Sequence, residues 1–269
     1  MESTCQFSYV ERGEPTNDAI LFLHGFMGGA ADWEDCGVTV ALSERYRVVS
    51  VDLPGHGMTV VRGGSESYRM ENCAEELICF MDKLQIDRCH LVGYSMGGRL
   101  ALYMMANFPD RFDKVVLESA SPGLRTPEER QERIAYDEAL ASRLETESLQ
   151  EFLVSWYELP LFASLKNRKD LLPVLVRRRL KNDTHGLSRS LRMMGTGMQP
   201  SLWSELKGLK GSLLLIVGEK DDKFQRIGRE MVDECRVASM NVVSNAGHNV
   251  HLENPVEYVQ CVRNFFERL

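Results

Sequence analysis

The sequence predicts an α/β fold in which a mostly parallel sheet is flanked by helices and carries a helical insertion at about residues 122–200. Continuous apolar runs, typical of strands buried on both faces, alternate with amphipathic helical patterns at both ends of the chain. Between Pro122 and Pro200 only helical patterns are found. The pentapeptide Gly93-Tyr94-Ser95-Met96-Gly97 lies between one apolar run and one helical pattern.

The predicted elements follow the order expected for such a sheet. Residues 5–12 predict an edge strand, and buried strands are predicted at residues 19–23, 48–51, 89–92, 114–117, 213–217 and 241–243. Helices are predicted at residues 70–84, after Ser95, at 224–235 and at 255–268. In the insertion, Thr126-Pro127 predicts a helix start, and further helices are predicted at 149–157, 172–180 and 187–194. We therefore expect one structural domain, with a core at 1–121 and 201–269 and a helical lid at 122–200.

The pentapeptide at residues 93–97 has the Gly-x-Ser-x-Gly pattern, in the strand-turn-helix context of a nucleophile elbow. The serine of such an elbow lies in a sharp turn with an unfavourable backbone conformation. Side chains two residues before and after it would collide in that turn, which explains the two glycines. The turn also directs the N-terminus of the next helix at the serine hydroxyl, where it favours a developing negative charge. Ser95 is therefore the predicted catalytic serine.

A serine hydroxyl needs a histidine to accept its proton and a carboxylate to orient that histidine. In this fold the chain order is serine, acid, histidine. His248 lies in a loop before the last predicted helix and is the preferred histidine, with His251 as the alternative. The strand at 213–217 ends in a turn that contains Asp221 and Asp222, and the pattern alone leaves both open.

An oxyanion hole needs two backbone N–H groups that point to one place. Met96, at the start of the helix after the serine, is expected to supply one of them. Phe26 follows the strand at 19–23 and the dipeptide His24-Gly25, and it is expected to supply the other.

Charge is distributed unevenly along the chain. The net charge of −7 argues against general nucleic-acid binding, which requires a basic face. Residues 122–200 nevertheless contain 13 Lys and Arg against 11 acidic residues, whereas the remainder contains 19 against 28. A basic insertion over an acidic core indicates a small anionic ligand between them.

Composition also bears on location. The seven cysteines contain no Cys-x-x-Cys pair and several lie in apolar runs, which favours reduced thiols in an intracellular protein. No apolar run reaches the length that spans a bilayer, and residues 1–18 lack the apolar core of a signal peptide. We expect no membrane insertion, with a cytoplasmic location for a bacterial protein, or a plastid or other organelle for a domain trimmed from a larger chain.

Several motifs together resemble one enzyme family over nearly the full length. They are Leu23-His24-Gly25-Phe26-Met27-Gly28 with Asp32-Trp33, Gly93 to Ala101, Ser121-Pro122-Gly123-Leu124, Trp156-Tyr157 with Leu161-Phe162-Ala163-Ser164, Met194 to Pro200, Gly218-Glu219-Lys220-Asp221 with Lys223-Phe224, and Ala246-Gly247-His248-Asn249. The chain resembles the α/β-hydrolase superfamily. More narrowly, it is similar to the 2-succinyl-6-hydroxy-2,4-cyclohexadiene-1-carboxylate synthases of menaquinone and phylloquinone biosynthesis.

The resemblance implies a carbon–oxygen lyase rather than a hydrolase. The substrate of that enzyme family carries three carboxylates and loses pyruvate by elimination. Ser95, with His248 and Asp221, would act as the base that takes a ring proton, and Phe26 and Met96 would form the oxyanion hole. No metal-ligand set, P-loop or dinucleotide fingerprint is found in the sequence, and no cofactor is expected.

The resemblance also implies a set of substrate-binding residues: Arg99, Tyr94, Arg130, Arg179, Trp156 and Tyr157. Arg99 lies one helical turn after Ser95, so its guanidinium can reach the site. Arg133 is the alternative register to Arg130, which is preferred, and Arg179 is the best match within the triplet at 177–179. Arg125 stands where the family can have glutamine.

Two other functions compete with the lyase. The first is a serine hydrolase of esters, or of carbon–carbon bonds in ring-cleavage products, because the same triad serves many reactions on this fold. The second is a ligand-binding receptor that keeps the pocket with little turnover. An arginine close to the serine favours the lyase, since a general esterase pocket is expected to be apolar there, and a complete triad argues against the receptor.

Overall fold

The computed structural model describes residues 4–268. Its strands are β1 Cys5–Gln6, β2 Tyr9–Arg12, β3 Ala19–Leu23, β4 Arg47–Val51, β5 Val60–Val61, β6 Cys89–Tyr94, β7 Phe112–Glu118, β8 Ser212–Gly218 and β9 Ala238–Val243. Its α-helices are α1 Ala30–Asp35, α2 Val38–Leu42, α3 Met70–Lys83, α4 Met96–Asn107, α5 Pro127–Thr146, α6 Leu149–Tyr157, α7 Ala163–Lys166, α8 Leu172–Arg179, α9 Thr184–Met194, α10 Asp222–Glu234, α11 Val250–Glu253 and α12 Pro255–Glu267.

The main sheet has the strand order β2-β4-β3-β6-β7-β8-β9. The edge strand β2 pairs antiparallel with β4, and each of the other neighbouring pairs is parallel. The carboxyl ends of β3, β6, β7 and β8 therefore lie along one edge, the place where parallel α/β sheets bind their ligands. Strands β1 and β5 form a separate antiparallel pair.

The strand β3 shows why apolar runs become central strands. Each of its five residues is buried. Leu21 and Leu23 pack in a core with residues of α3 and α4, whereas Ile20 and Phe22 pack in a second core with residues of α2 and α12. Because successive side chains of a strand point to opposite faces, a strand covered by helices on both sides must be apolar throughout.

Helices α5 to α9, here called the insertion helices, lie between β7 and β8 in the chain. The first begins at a capping box in which the Thr126 hydroxyl accepts the Glu129 N–H, a cap worth about 1 kcal/mol. These helices form their own apolar cluster, with Leu140, Phe152 and Leu187 among its buried members. Met27 from the core also belongs to this cluster, so the insertion helices pack directly on the loop after β3.

The predicted parallel α/β sheet is confirmed, and most predicted elements lie within two or three residues of the observed ones. The predicted strand at 5–12 is divided into β1 and β2, and only β2 is an edge of the main sheet. The sequence does not predict the short helices α1, α2, α7 and α11 or the strand β5, because segments of two to six residues carry too little periodicity. In the described part of the chain, no helix has the length and apolarity needed to cross a bilayer.

Candidate active site

The turn between β6 and α4 has the geometry of a nucleophile elbow. Ser95 has a φ of 49°, a conformation that is unfavourable for a residue with a side chain. A Cβ on Gly93 would collide with the carbonyl oxygen of Gly97, and one on Gly97 would collide with that of Leu23. The two glycines are therefore required by close backbone approach, and the strained serine is presented at the edge of the sheet.

The structure brings Ser95, His248 and Asp221 together. His248 Nε2 lies 3.2 Å from Ser95 Oγ, and His248 Nδ1 lies 2.9 Å from Asp221 Oδ2. In this arrangement Nδ1–H donates to the carboxylate, which leaves Nε2 free to accept the hydroxyl proton. The other oxygen of Asp221, Oδ1, accepts the N–H of Phe224 at 3.2 Å, so the carboxylate is fixed at the start of α10.

The two alternatives that the sequence left open lie elsewhere. Asp222 is exposed, whereas Asp221 is buried. His251 Nδ1 lies 2.8 Å from both carboxylate oxygens of the fully buried Glu118, and its ring packs on Tyr94. His251 therefore packs against Tyr94, the residue before Ser95, and is paired with Glu118 rather than with Ser95.

Phe26 and Met96 line the same cavity as Ser95. Within residues 4–268, neither of their backbone N–H groups donates to a protein acceptor, as expected for an oxyanion hole. The loop at residues 25–29 that contains Phe26 is closed by a hydrogen bond from the Gly28 N–H to the Gly25 carbonyl at 2.9 Å.

Two buried histidines support this loop, and no motif in the sequence predicts this role for them. His56 Nε2 accepts the Met27 N–H at 3.0 Å, and His24 Nε2 accepts the Leu53 N–H at 2.9 Å. Each ring must carry no proton on Nε2 to accept these N–H groups. Burial lowers the pKa of each histidine below its usual value, which favours the neutral form.

Beside the triad lies a cavity of about 360 Å³. Its lining includes five cationic side chains and two carboxylates: Arg99, Arg125, Arg133, Lys223, Arg226, Glu129 and Glu230. Arg125 is paired with Glu230 and Glu234 and stacks on Trp203. The remaining cations give the cavity wall a positive charge.

Arg99 is the most informative of these cations. It is only 9% exposed, and its closest polar partner is Gln199, whose Oε1 accepts from Nη1 at 3.3 Å. Among the described residues no carboxylate forms an ion pair with it. Burial, together with repulsion from Arg133, lowers the pKa of Arg99 to about 10. A buried guanidinium without a carboxylate partner is costly unless an anion binds there.

The preference for Arg130 over Arg133 is not supported by the structure. Arg133 lines the cavity and donates from Nε to Asp137 at 2.8 Å, whereas Arg130 donates to the Gly197 carbonyl and lies outside the lining. Residues three apart share one face of α5, so periodicity could not separate them. Lys223 was not predicted as a binding residue, although it lies in the motif that follows Asp221; burial and the nearby Arg133 lower its pKa.

The other predicted binding residues divide into two groups. Tyr94 and Trp156 line the cavity, and the Trp156 ring lies 5.5 Å from that of Phe26. Arg179 and Tyr157 do not line it. Arg179 instead forms a buried ion pair with Asp32, so the structure places its guanidinium on a protein carboxylate and not in the cavity. In the described residues no cluster of three or more His, Cys, Asp or Glu side chains is arranged to hold a metal ion.

This sheet, elbow and triad define an α/β hydrolase, and the family model of the α/β hydrolase fold matches residues 18–255. The chain is 34% identical over 248 residues to the 2-succinyl-6-hydroxy-2,4-cyclohexadiene-1-carboxylate synthase of Escherichia coli O1:K1, covering 91% of this chain and 92% of that protein. The solved structure of MenH from S. aureus superposes with a TM-score of 0.89 at 30% identity, covering 97% of each chain. The chain belongs to the α/β-hydrolase family and, within it, to the family of these synthases.

A plant relative is much longer. The chloroplastic protein PHYLLO of Arabidopsis thaliana is 34% identical over 263 residues, which is 93% of this chain but 15% of PHYLLO.

Proposed function

We propose that this protein is a 2-succinyl-6-hydroxy-2,4-cyclohexadiene-1-carboxylate synthase. It would eliminate pyruvate from a 5-enolpyruvyl cyclohexene precursor that carries three carboxylates. The observation that carries the proposal is Arg99, a buried cation without a carboxylate partner, one helical turn from Ser95 in the same cavity. The names of the relatives support the same reaction.

The proposed chemistry begins with proton transfer. His248 accepts the hydroxyl proton of Ser95, and Asp221 stabilises the imidazolium that forms. The serine oxygen then takes a ring proton, and the released electron pair forms the new ring double bond. The bond from the ring carbon to the enolpyruvyl oxygen breaks, and the departing enolate gains the proton held by His248 to become pyruvate, which returns the triad to its starting state.

In this proposal the N–H groups of Phe26 and Met96 stabilise the negative charge that develops as the ring proton leaves. The same donors would stabilise a tetrahedral intermediate, so the oxyanion hole alone does not select the reaction. The cationic cavity makes that selection, because it fits a substrate with several carboxylates.

Three cations are proposed to bind those carboxylates. Arg99 is the most buried of the three and can offer paired N–H donors to one carboxylate. Arg133 and Lys223 lie on the cavity wall. Lys223 has no ion-pair partner among the described residues, so its ammonium group is available to the ligand.

Hydrolysis of esters is the second candidate, and the observation that favours it is the intact Ser95–His248–Asp221 hydrogen-bonded chain. One experiment separates the two candidates. The purified protein is given the enolpyruvyl precursor, with pyruvate release as the readout, beside a panel of short-chain neutral esters. We expect pyruvate release to be far more efficient and to be lost in Ser95→Ala. Efficient ester cleavage without pyruvate release would establish the hydrolase instead.

A further inference from the structure

The C-terminal end of α8 is linked to the loop that contains Phe26 through an ion pair between Arg179 and Asp32. Arg179 Nη1 lies 2.9 Å from Asp32 Oδ1, and Nη2 lies 2.7 Å from Oδ2, so the pair is two-pronged. Arg179 is 7% exposed and Asp32 is 5% exposed. Burial by itself disfavours the charge on Arg179, but Asp32 and the Tyr157 hydroxyl reverse the effect and raise its pKa.

Asp32 in turn contacts the loop at residues 25–29. Its Oδ2 accepts the Gly29 N–H at 3.2 Å, and a Cβ on Gly28 would lie 3.0 Å from the same oxygen. The carboxylate is therefore packed against the loop. Arg179 holds it through the two short contacts, and Arg178 Nη1 lies farther away, 3.6 Å from Oδ1.

A second attachment lies three residues after Arg179. Asn182 Nδ2 donates to the carbonyl oxygen of Met27 at 2.9 Å. Met27 has a φ of 64°, a left-handed conformation that a residue with a side chain adopts only when its surroundings impose it. Phe26 and Met27 lie in the same turn, which is closed by the hydrogen bond from the Gly28 N–H to the Gly25 carbonyl, so a relaxation of Met27 would shift the backbone that carries the Phe26 N–H.

We propose that Arg179 and Asn182 are positioning residues that hold the loop at 25–29 so that the Phe26 N–H points to the oxyanion. This inference rests on the proposed catalytic roles of Ser95 and Phe26. The insertion helices thereby contribute to the turnover step and not only to substrate binding. Arg179 is not a carboxylate-binding residue, because both terminal nitrogens already contact Asp32.

The test compares Arg179→Lys and Asn182→Ala with Arg99→Lys, and uses the exposed Arg189→Ala on α9 as the matched control. Two reactions are measured on each folded variant. The first is pyruvate release, separated into kcat and KM. The second is phosphorylation of Ser95 by a neutral phosphate triester that carries one p-nitrophenyl group. His248 takes the serine proton, the serine oxygen bonds to phosphorus, and p-nitrophenolate leaves and is followed by its absorbance. This second reaction needs the serine and the oxyanion hole but no substrate carboxylate.

Losing an entire oxyanion donor costs roughly 10²–10³-fold in turnover, so a misdirected donor should cost about 10- to 100-fold in Arg179→Lys and less in Asn182→Ala. We expect this loss in kcat with KM within about twofold, and an equal loss in the phosphorylation rate. The control Arg189→Ala should leave both reactions unchanged, and Arg99→Lys should raise KM for pyruvate release. The proposal is overturned if Arg179→Lys raises KM while the phosphorylation rate stays at the wild-type value, or if the wild type shows neither reaction. A wild type that is phosphorylated but releases no pyruvate would refute the proposed lyase and still test the positioning role.

Discussion

Two arginines of this protein, Arg99 and Arg179, are buried and differ in what they contact. Arg99, on the core helix α4, has Gln199 as its partner and lines the cavity. Arg179, on the insertion helix α8, is paired through two contacts with Asp32 and does not line the cavity. Their exposures of 9% and 7% are almost equal. The partner of a buried cation, rather than its depth, therefore indicates whether it binds ligand or supports the fold.

The largest expected effect is the loss of turnover when the triad is removed, and the effects of the two arginines are compared with it. Ser95→Ala and His248→Ala should each lower turnover by about 10⁴-fold or more, and the double variant should be little worse, because triad members act as a unit. The measurement is pyruvate release under single-turnover conditions. Losses that multiply in the double variant would contradict the assignment of His248 to Ser95.

The second prediction concerns the acid of the triad. Asp221→Asn should lower turnover by about 10³- to 10⁴-fold, because the amide no longer holds the histidine in the productive tautomer. Asp222→Asn, one residue away and exposed, is the matched control and should change turnover less than about twofold. The reverse ranking would move the acid by one position.

The third prediction compares the arginines through stability. Arg179→Met leaves the buried Asp32 carboxylate with only the more distant Arg178, whose Nη1 lies 3.6 Å from Oδ1. Breaking a buried pair costs about 3–5 kcal/mol of unfolding free energy, and Arg178 should reduce the loss toward the lower end of that range. Arg99→Met removes a buried cation that has no carboxylate partner, so unfolding free energy should stay equal or rise. Urea unfolding at pH 7 measures both variants.

The control for this stability comparison is the double variant Asp32→Leu with Arg179→Met, which removes both charges and should recover much of the loss. Equal destabilisation by Arg99→Met and Arg179→Met would show that the two arginines do not differ in the way that their contacts indicate.

The sequence predicts the triad better than it predicts the pairing of Arg179 with Asp32, for a physical reason. The elbow and the strand ends are local patterns, and the chain order of serine, acid and histidine restricts the remaining choices. Asp32 and Arg179 are separated by 147 residues, so only the packing of α8 on α1 brings them together. Arg130 and Arg133 share a helix face, and the exact rotation of α5 decides which of them reaches the cavity.

The fourth prediction concerns the activity of Arg99. Arg99→Ala removes a charge-assisted hydrogen-bonding group worth roughly 1.5–3 kcal/mol, which corresponds to about a 10- to 150-fold loss in kcat/KM for the anionic substrate. Arg99→Lys keeps the charge but loses the planar fork, so its loss should be smaller. Cleavage of p-nitrophenyl acetate, where detectable, should be nearly unchanged. If the anionic substrate is equally unaffected, Arg99 does not bind it.

The smallest expected effect is a pH dependence of the unfolding free energy that arises from His24 and His56, two buried histidines near Arg179. Burial lowers the pKa of His24 and His56 below the unfolded value of about 6.5, and the nearby Arg179 contributes in the same direction. Below pH 6.5 the unfolded chain therefore binds protons that the native protein does not, so stability decreases as the pH falls. Each such histidine contributes a slope of up to about 1.4 kcal/mol per pH unit between its native pKa and 6.5.

His56→Gln tests this slope, because glutamine can accept the Met27 N–H and does not titrate. Urea unfolding of the wild type and the variant at pH 7 and pH 5.5 gives two differences in unfolding free energy, and other titrating groups cancel when these are compared. We expect the variant to lose less stability on acidification than the wild type, by up to about 1 kcal/mol. Arg99→Met serves as the control, since a guanidinium keeps its charge throughout this range and its removal should leave the slope unchanged. Equal slopes in wild type and His56→Gln would mean that His56 takes up a proton in the native state, and the loop that contains Phe26 would then be held differently from the arrangement described above.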